Sequence, residues 1–452
     1  MKPGNLFKNK TFYRALFTIA VPIMLQNLIN SFVNLVDTVM VGRLGTAEIA
    51  AVGLGNQVFF LLTIFLFGVC SGAGVFTAQF WGKKDVAGIK RTTGLCLSVA
   101  LVIAGLFTAA CIRAPAFIIG LYSKDAAVIA IGAEYLRAVA PCFLPFAVSF
   151  VLTIIMRSIE RVKLAMTTTI VSLSIKIVLS YCLIFGVGPF PALGVTGAAI
   201  ATVIARVIEM IILLVASKAR NYAFVGTIGE VFDFDLRFTA RFFQIALPVI
   251  VNEILWSLGI TMQNVIFART GTDAFAAFTI LNTVSQLTWV FFIGLGNGGS
   301  VLIGKKIGEG DERTARDYAA RLTLFAPLMG VLIALFLIPL SLLLPFAFNV
   351  DAGVFAIMSA LFAILSLAYP FRAFNISMII GVCRAGGDTV FGFFYDILIM
   401  WTFSLPLAAL ASFAFHAPVW VIYLCVCSED PLKMLIGLWR LKSGKWLRDV
   451  TG

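Results

Sequence analysis

Eleven ionisable side chains fall inside apolar runs of this 452-residue chain: Asp37, Arg137, Lys176, Arg206, Glu209, Glu253, Arg372, Asp396, Glu429, Asp430 and Lys433. A charge held in such surroundings is costly, and its usual uses are to carry a proton, to hold a cation or to face the opposite charge of a ligand. Some of the set explain themselves locally. Arg206 with Glu209, at i, i+3, and Glu429 with Lys433, at i, i+4, have the spacing of structural pairs on one helix face. Arg137 and Asp396 fall near span ends, where a side chain can reach the interface. Asp37 and Glu253 have no such partner in the sequence around them, so they are the first candidates for moving an ion.

Asp37 has company at its depth. Counting about 1.5 Å per residue from the outer boundary of each span places Asp37 near ~8 Å, Ser180 near ~10 Å, Thr202 near ~13 Å and Lys176 near ~16 Å, so the four can meet. A Lys beside an acid favours the ionised carboxylate, whereas burial disfavours both charges unless they stay paired. Glu253 lies near mid-depth beside Asn252 and one turn before Trp256, with no cation adjacent in sequence. It is the expected proton carrier, and Asp37 with Lys176 the expected conformational latch. Asn34, Asn252, Trp256, Gln263, Asn282, Arg372 and Asn375 are the polar and aromatic residues expected along a substrate cavity. Enzymatic chemistry finds no comparable set: the lone His416 sits in a loop, no HExxH occurs, and eight cysteines are scattered singly. The cysteines read as packing residues. Neither a metal site nor a cofactor is expected.

The elements that hold these residues are membrane helices. Hydrophobic residues make up 61 % of the chain and charged ones 12 %, far from the mix of soluble domains. About 20 apolar residues make a span, and twelve candidates follow: about 15–41, 50–78, 93–113, 131–156, 164–187, 193–217, 242–267, 275–303, 319–344, 354–382, 390–414 and 417–439. The Lys and Arg residues, Arg384 among them, concentrate in the connections on one side, which predicts cytoplasmic termini. The net charge of +12 therefore belongs to loops of a membrane protein and does not indicate a nucleic-acid partner.

A shift of 226 residues lays Ala20–Asp85 on Ala246–Asp311 without a gap, with 18 identities in 66 pairs, including Pro22 with Pro248, Arg43 with Arg269 and Gly45 with Gly271. Arg157 matches Arg384 after a one-residue slip. Two parallel six-span repeats follow: an amino-terminal lobe at 1–216, a cytoplasmic linker at 217–241 and a carboxy-terminal lobe with a basic tail at 242–452. Pro22 and Pro248 fall in the expected first turns of their spans. The glycines at 68, 72 and 74, and at 294, 296, 298 and 299, predict close helix packing.

The pattern resembles the multidrug and toxic-compound extrusion transporters. The resemblance rests on LVDTVMVGRLG at 35–45, GVCSGAGVFTAQFWG at 68–82, LIFGVGPFPALGVTGAAIATVIAR at 183–206, LPVIVNE at 247–253 and CRAGGDT at 383–389. It implies an all-α, V-shaped pair of six-helix lobes that exports amphipathic, commonly cationic compounds by H⁺ or Na⁺ antiport. In that family the amino-terminal lobe carries an acid on its first helix, Asn and Asp one turn apart on its fifth, and a hydroxyl on its sixth. Asp37 and Thr202 fit this pattern. Lys176 and Ser180 stand where Asn and Asp are usual, which argues against a Na⁺ site there. Some members place an acid on the tenth helix, where this chain has YPFRAFNIS with Arg372 and Asn375. The expected partners are small amphipathic substrates and the bilayer, the expected state a monomer in the cell membrane. Flipping of a lipid-linked oligosaccharide, which calls for a basic cavity built from residues such as Lys176, Arg372 and Arg137, is the alternative.

Overall fold

A computed structural model describes residues 9–348 and 352–452, with side chains for all but 341–348 and 352. Lys2 and Lys8 of the basic amino terminus lie outside the described residues. Eleven described helices are long and apolar enough to cross a membrane: α1 (Lys10–Gly42), α2 (Thr46–Lys83), α3 (Val86–Arg113), α4 (Ala126–Ser158), α5 (Val162–Phe185), α6 (Gly194–Ala219), α7 (Leu236–Ala268), α8 (Thr272–Gly308), α9 (Glu312–Leu340), α10 (Gly353–Arg384) and α11 (Thr389–Ala414). The twelfth, α12, is broken into Val419–Cys427 and Glu429–Ser443. The interruption at Ser428, whose own backbone is still helical, puts Glu429, Asp430 and Lys433 together at the start of the second piece, so this helix is less uniformly apolar than the other eleven. No strand occurs among the described residues.

Helices α1 and α7 start well before their apolar windows, at Lys10 and Leu236, because the polar residues ahead of those windows continue the helix. Pro22 and Pro248 are therefore inside their helices and not in first turns. Proline there removes a backbone donor and crowds the preceding turn.

Two compact units divide the chain within these same two helices. One unit is Leu25–Ala246; the other joins Met1–Met24 to Leu247–Gly452. Glycines show why each helix changes unit. A Cβ built on Gly72 of α2 would sit 2.7 Å from the Cβ of Ala246 in the first part of α7, and one on Gly298 of α8 would sit 3.1 Å from the Cβ of Ala20 in the first part of α1. These contacts hold the start of α7 in the first unit and the start of α1 in the second. The connection before α7 also belongs to the first unit, where Lys90 and Arg91 at the start of α3 pair with Glu230 at 3.1 Å and Asp233 at 2.7 Å.

The repeat extends to individual backbone hydrogen bonds. The amide of Leu44 donates to Val41 and that of Thr270 to Phe267; Asp85 donates to Phe80 and Asp311 to Lys306. The carboxylate of Asp85 caps α3 at Gly88, and that of Asp311 caps α9 at Thr314. Gly45 and Gly271 both have positive φ, 157° and 117°, so each α-hairpin turns on a residue free of Cβ strain. After α4 and α10 the matching bonds are Arg161 to Met156 and Asp388 to Cys383, which carry the one-residue slip. Its cause is local: α10 widens to a π-helix over Ser377–Arg384, and a π-turn accommodates one extra residue.

Candidate ion-coupling site

In the first unit, α1 and α5 bring Asp37 and Lys176 together as an ion pair, with side-chain exposures of 23 % and 11 %. The other two residues expected at this depth do not join it. The hydroxyl of Ser180 is buried without a hydrogen-bond partner, and that of Thr202 donates to Ala198 on its own helix at 2.9 Å.

A second polar circuit in the same unit was not foreseen. Arg157 at the end of α4 donates to the amide oxygen of Gln26 on α1 at 2.5 Å. Gln26 donates to Thr169 on α5 at 2.7 Å, and Thr169 donates to Glu209 on α6 at 2.9 Å. Arg206 closes the chain on Glu209 at 2.7 Å, as its i, i+3 spacing predicts. Two fixed cations thus stand on a circuit with one carboxylate: Arg206 pairs with Glu209 directly, and Arg157 is linked to it through Gln26 and Thr169.

The second unit repeats the circuit with different charges. Arg384 at the end of α10 donates to Glu253 on α7 at 2.6 Å. Asn252, next to Glu253 and only 3 % exposed, donates to Asp396 on α11 at 3.2 Å. Lys433 on α12 reaches Asp396 at 3.0 Å and Glu429 at 3.1 Å, and Ser404 donates to the other oxygen of Glu429 at 2.6 Å. Three carboxylates here share two cations.

Two expectations are corrected. Glu253 is not an acid without a cation, because Arg384 is its partner; Arg384 looked like a loop residue only because it ends an apolar run. Asp396 is not left to itself at a span end either, since Lys433 and Asn252 hold it with 13 % side-chain exposure. The match of Arg384 to Arg157 across the repeat was the signal for the first correction. The second had none, because Asp396 aligns with a neutral residue, Thr169.

The residues expected along a cavity scatter. Arg372 pairs with Asp430 at 2.9 Å, while Asn375 donates to the Asp430 carbonyl at 3.0 Å and accepts from the Tyr395 hydroxyl at 2.6 Å. Both belong to a structural knot between α10, α11 and α12. Trp256 stacks on Trp289 at 6.3 Å. Asn34 is exposed, Arg137 is exposed, and Gln263 and Asn282 are half-buried. All eight cysteines are free thiols. No cluster of three metal-binding side chains occurs among the described residues.

The CRAGGDT stretch has its own task. Asp388, 1 % exposed, accepts from Arg440 at 2.8 and 2.9 Å and pairs with Arg448 at 3.0 Å. Gly386 and Gly387 lie against Trp446 and Val450. The basic tail is therefore docked on the loop that follows Arg384.

Comparison with known proteins agrees with this duplicated architecture. The probable multidrug resistance protein YoeA of Bacillus subtilis is 27 % identical over 88 % of this chain and 87 % of its own length. The probable multidrug resistance protein NorM of Thermotoga maritima is 23 % identical over 98 % and 96 %. The fold is that of the Vibrio cholerae MATE transporter VcmN in its bent form, with a TM-score of 0.87, 18 % identity and coverage of 96 % and 97 %. The MatE family pattern matches twice, over residues 22–182 and 248–410, and the two matches begin 226 residues apart, the offset of the internal repeat. The chain belongs to the MatE family of multi-pass membrane transporters.

Proposed function

We propose that this transporter exports amphipathic organic cations in exchange for protons, as a monomer in the cell membrane with both termini cytoplasmic. The observation that carries the choice of ion is the Asp37–Lys176 pair. An ammonium already occupies the position a Na⁺ would take beside that acid, so the first unit needs no external cation, and coupling falls to the carboxylates around Glu253. Asp37 with Lys176 then acts as a latch that must stay paired. Substrate contact is assigned to Trp256, Asn34, Gln263 and Asn282, while Arg372, Asn252 and Asn375 support the helices from inside the second unit. Flipping of a lipid-linked anion finds less support, since Lys176 and Arg372, two of the cations it would use, are each neutralised by an acid.

The test is transport of ethidium by the purified chain in proteoliposomes under imposed gradients. Accumulation driven by a pH difference and indifferent to Na⁺ is expected. Movement that requires Na⁺, with no response to pH, removes the coupling assignment. Absence of organic-cation movement under either gradient removes the function.

A further inference from the structure

The buried circuit of the second unit holds more acid than cation. Glu253, Asp396 and Glu429 face only Arg384 and Lys433 in the circuit, so with all groups ionised it carries one net negative charge. Of the neighbouring cations, Arg372 is committed to Asp430. Arg440 and Arg448 both pair with Asp388, and the extra one, Arg448, is 54 % exposed, so its charge is screened by water and does not offset a buried acid. An unpaired charge inside a bilayer-spanning bundle is costly, and a carboxylate there is neutralised most cheaply by taking a proton.

The three acids are not equivalent. Glu253 has a guanidinium of its own at 2.6 Å. Glu429 shares its own helix with Lys433, at i, i+4, and takes a hydroxyl at 2.6 Å as well. Asp396 shares Lys433 and otherwise receives only the Asn252 amide at 3.2 Å. That amide supplies a second observation. Its Oδ1 is buried without a hydrogen-bond partner, although such acceptors are nearly always satisfied. If the side-chain amide turns over, Oδ1 comes to where Nδ2 stands and can accept a hydrogen from a protonated Asp396. Asn252 can therefore serve both states of Asp396, as donor to the carboxylate and acceptor from the acid.

We infer that Asp396 is the residue that binds the exchanged proton, with Asn252 as the amide that reverses and Lys433 as the cation that passes from shared to sole partnership with Glu429. The step balances simply: one H⁺ adds to a carboxylate oxygen of Asp396, no other covalent bond changes, and the circuit goes from one net negative charge to neutral. Glu253, held by Arg384, stays ionised and acts as a positioning residue. The inference rests on the proton-antiport reading above and specifies its site.

The full chain in detergent, in weak buffer with a pH indicator, should release about one proton per protein when saturated with ethidium. Asp396→Asn, which mimics the protonated acid and leaves Lys433 paired with Glu429, should release none. It should also lose about tenfold or more of pH-driven ethidium accumulation in proteoliposomes while keeping exchange of ethidium down its own gradient. Asp396→Glu should restore proton release with a displaced pH midpoint, and that variant decides the matter if Asp396→Asn does not fold. Glu429→Gln, which removes the surplus negative charge and leaves Lys433 to Asp396 alone, should shift the midpoint of proton release to lower pH. A wild-type chain that responds to pH together with an Asp396→Asn variant that releases a proton and responds equally overturns the assignment alone. A wild-type chain driven only by Na⁺ overturns it along with the antiport reading.

Discussion

The two repeats build the same circuit from opposite charge surpluses. In the first, Arg157, Gln26, Thr169, Glu209 and Arg206 link α4, α1, α5 and α6; in the second, Arg384, Glu253 with Asn252, Asp396, and Lys433 with Glu429 link α10, α7, α11 and α12. Position by position the donors correspond. Gln26 aligns with Asn252, and Thr169 takes the place of Asp396 once the π-turn residue is counted. The first circuit has two cations and one acid, the second three acids and two cations. A surplus cation such as Arg157 is fixed, because guanidinium does not release its proton in the physiological range, whereas a surplus acid can trade one. The duplicated scaffold has thus given one copy a permanent charge and the other a changeable one.

The sharpest test of this difference removes the matched arginines. Arg384→Ala leaves Glu253 buried without its cation, which typically costs about 3–5 kcal/mol; thermal melting of the purified protein by monodispersity in detergent should show a large loss, with Arg384→Lys recovering part of it. Arg157→Ala removes a surplus charge and leaves one amide oxygen unsatisfied, worth about 1–3 kcal/mol and partly offset by relief of the buried cation. Its melting point should fall by much less. Equal losses in the two variants would break the comparison.

The latch pair gives a middle-sized effect. Asp37 aligns with Gln263 across the repeat, so the pair with Lys176 exists in the first unit alone. Asp37→Asn should strand Lys176 and destabilise by about 2–3 kcal/mol, below the figure for a fully buried pair because the Asp37 side chain is 23 % exposed. Asp37→Asn with Lys176→Met together should recover most of that loss. Lys176→Asn frees the carboxylate and should make the melting point rise with NaCl more than with KCl. Identical responses to the two salts would show that the ammonium is not what keeps Na⁺ out.

What the sequence revealed and concealed follows from the range of the interactions. The turns were legible because each is closed within five residues: Arg43 to Gly45 and Arg269 to Gly271 repeat in type, and so do their hydrogen bonds. The Arg206–Glu209 and Glu429–Lys433 pairs were legible for the same reason. Arg384 and Glu253 are 131 residues apart, and no linear pattern joins them. Asp396 was read as an end residue because it comes early in its span, and its partners Lys433 and Asn252 lie 37 and 144 residues away, beyond any local pattern. The early starts of α1 and α7 escaped an apolar-window count, since Lys10–Arg14 and Leu236–Arg241 continue the helix without being apolar.

The smallest effect lies where the two repeats are most alike, at the caps of α3 and α9. Asp85 and Asp311 each accept from the amide three residues on, at 2.9 and 3.0 Å, and an acceptor at this position satisfies a donor that the helix itself leaves open. Asp311→Ala and Asp85→Ala should therefore lower the melting point slightly and by similar amounts at neutral pH, each far less than Arg384→Ala. The hydrogen bonds from Thr314, first through its side chain and then its backbone, hold the Asp311 carboxyl below the usual carboxylate range. A group whose folded pKa is depressed contributes stability above its unfolded pKa, and that contribution is lost as pH falls through the folded value. The gap between wild type and Asp311→Ala should thus persist at neutral pH and shrink on acidification below about pH 4, where an unfolded aspartate begins to take its proton. Melting curves of the two proteins at neutral and acidic pH measure it directly, and a gap that widens on acidification would contradict the capping role.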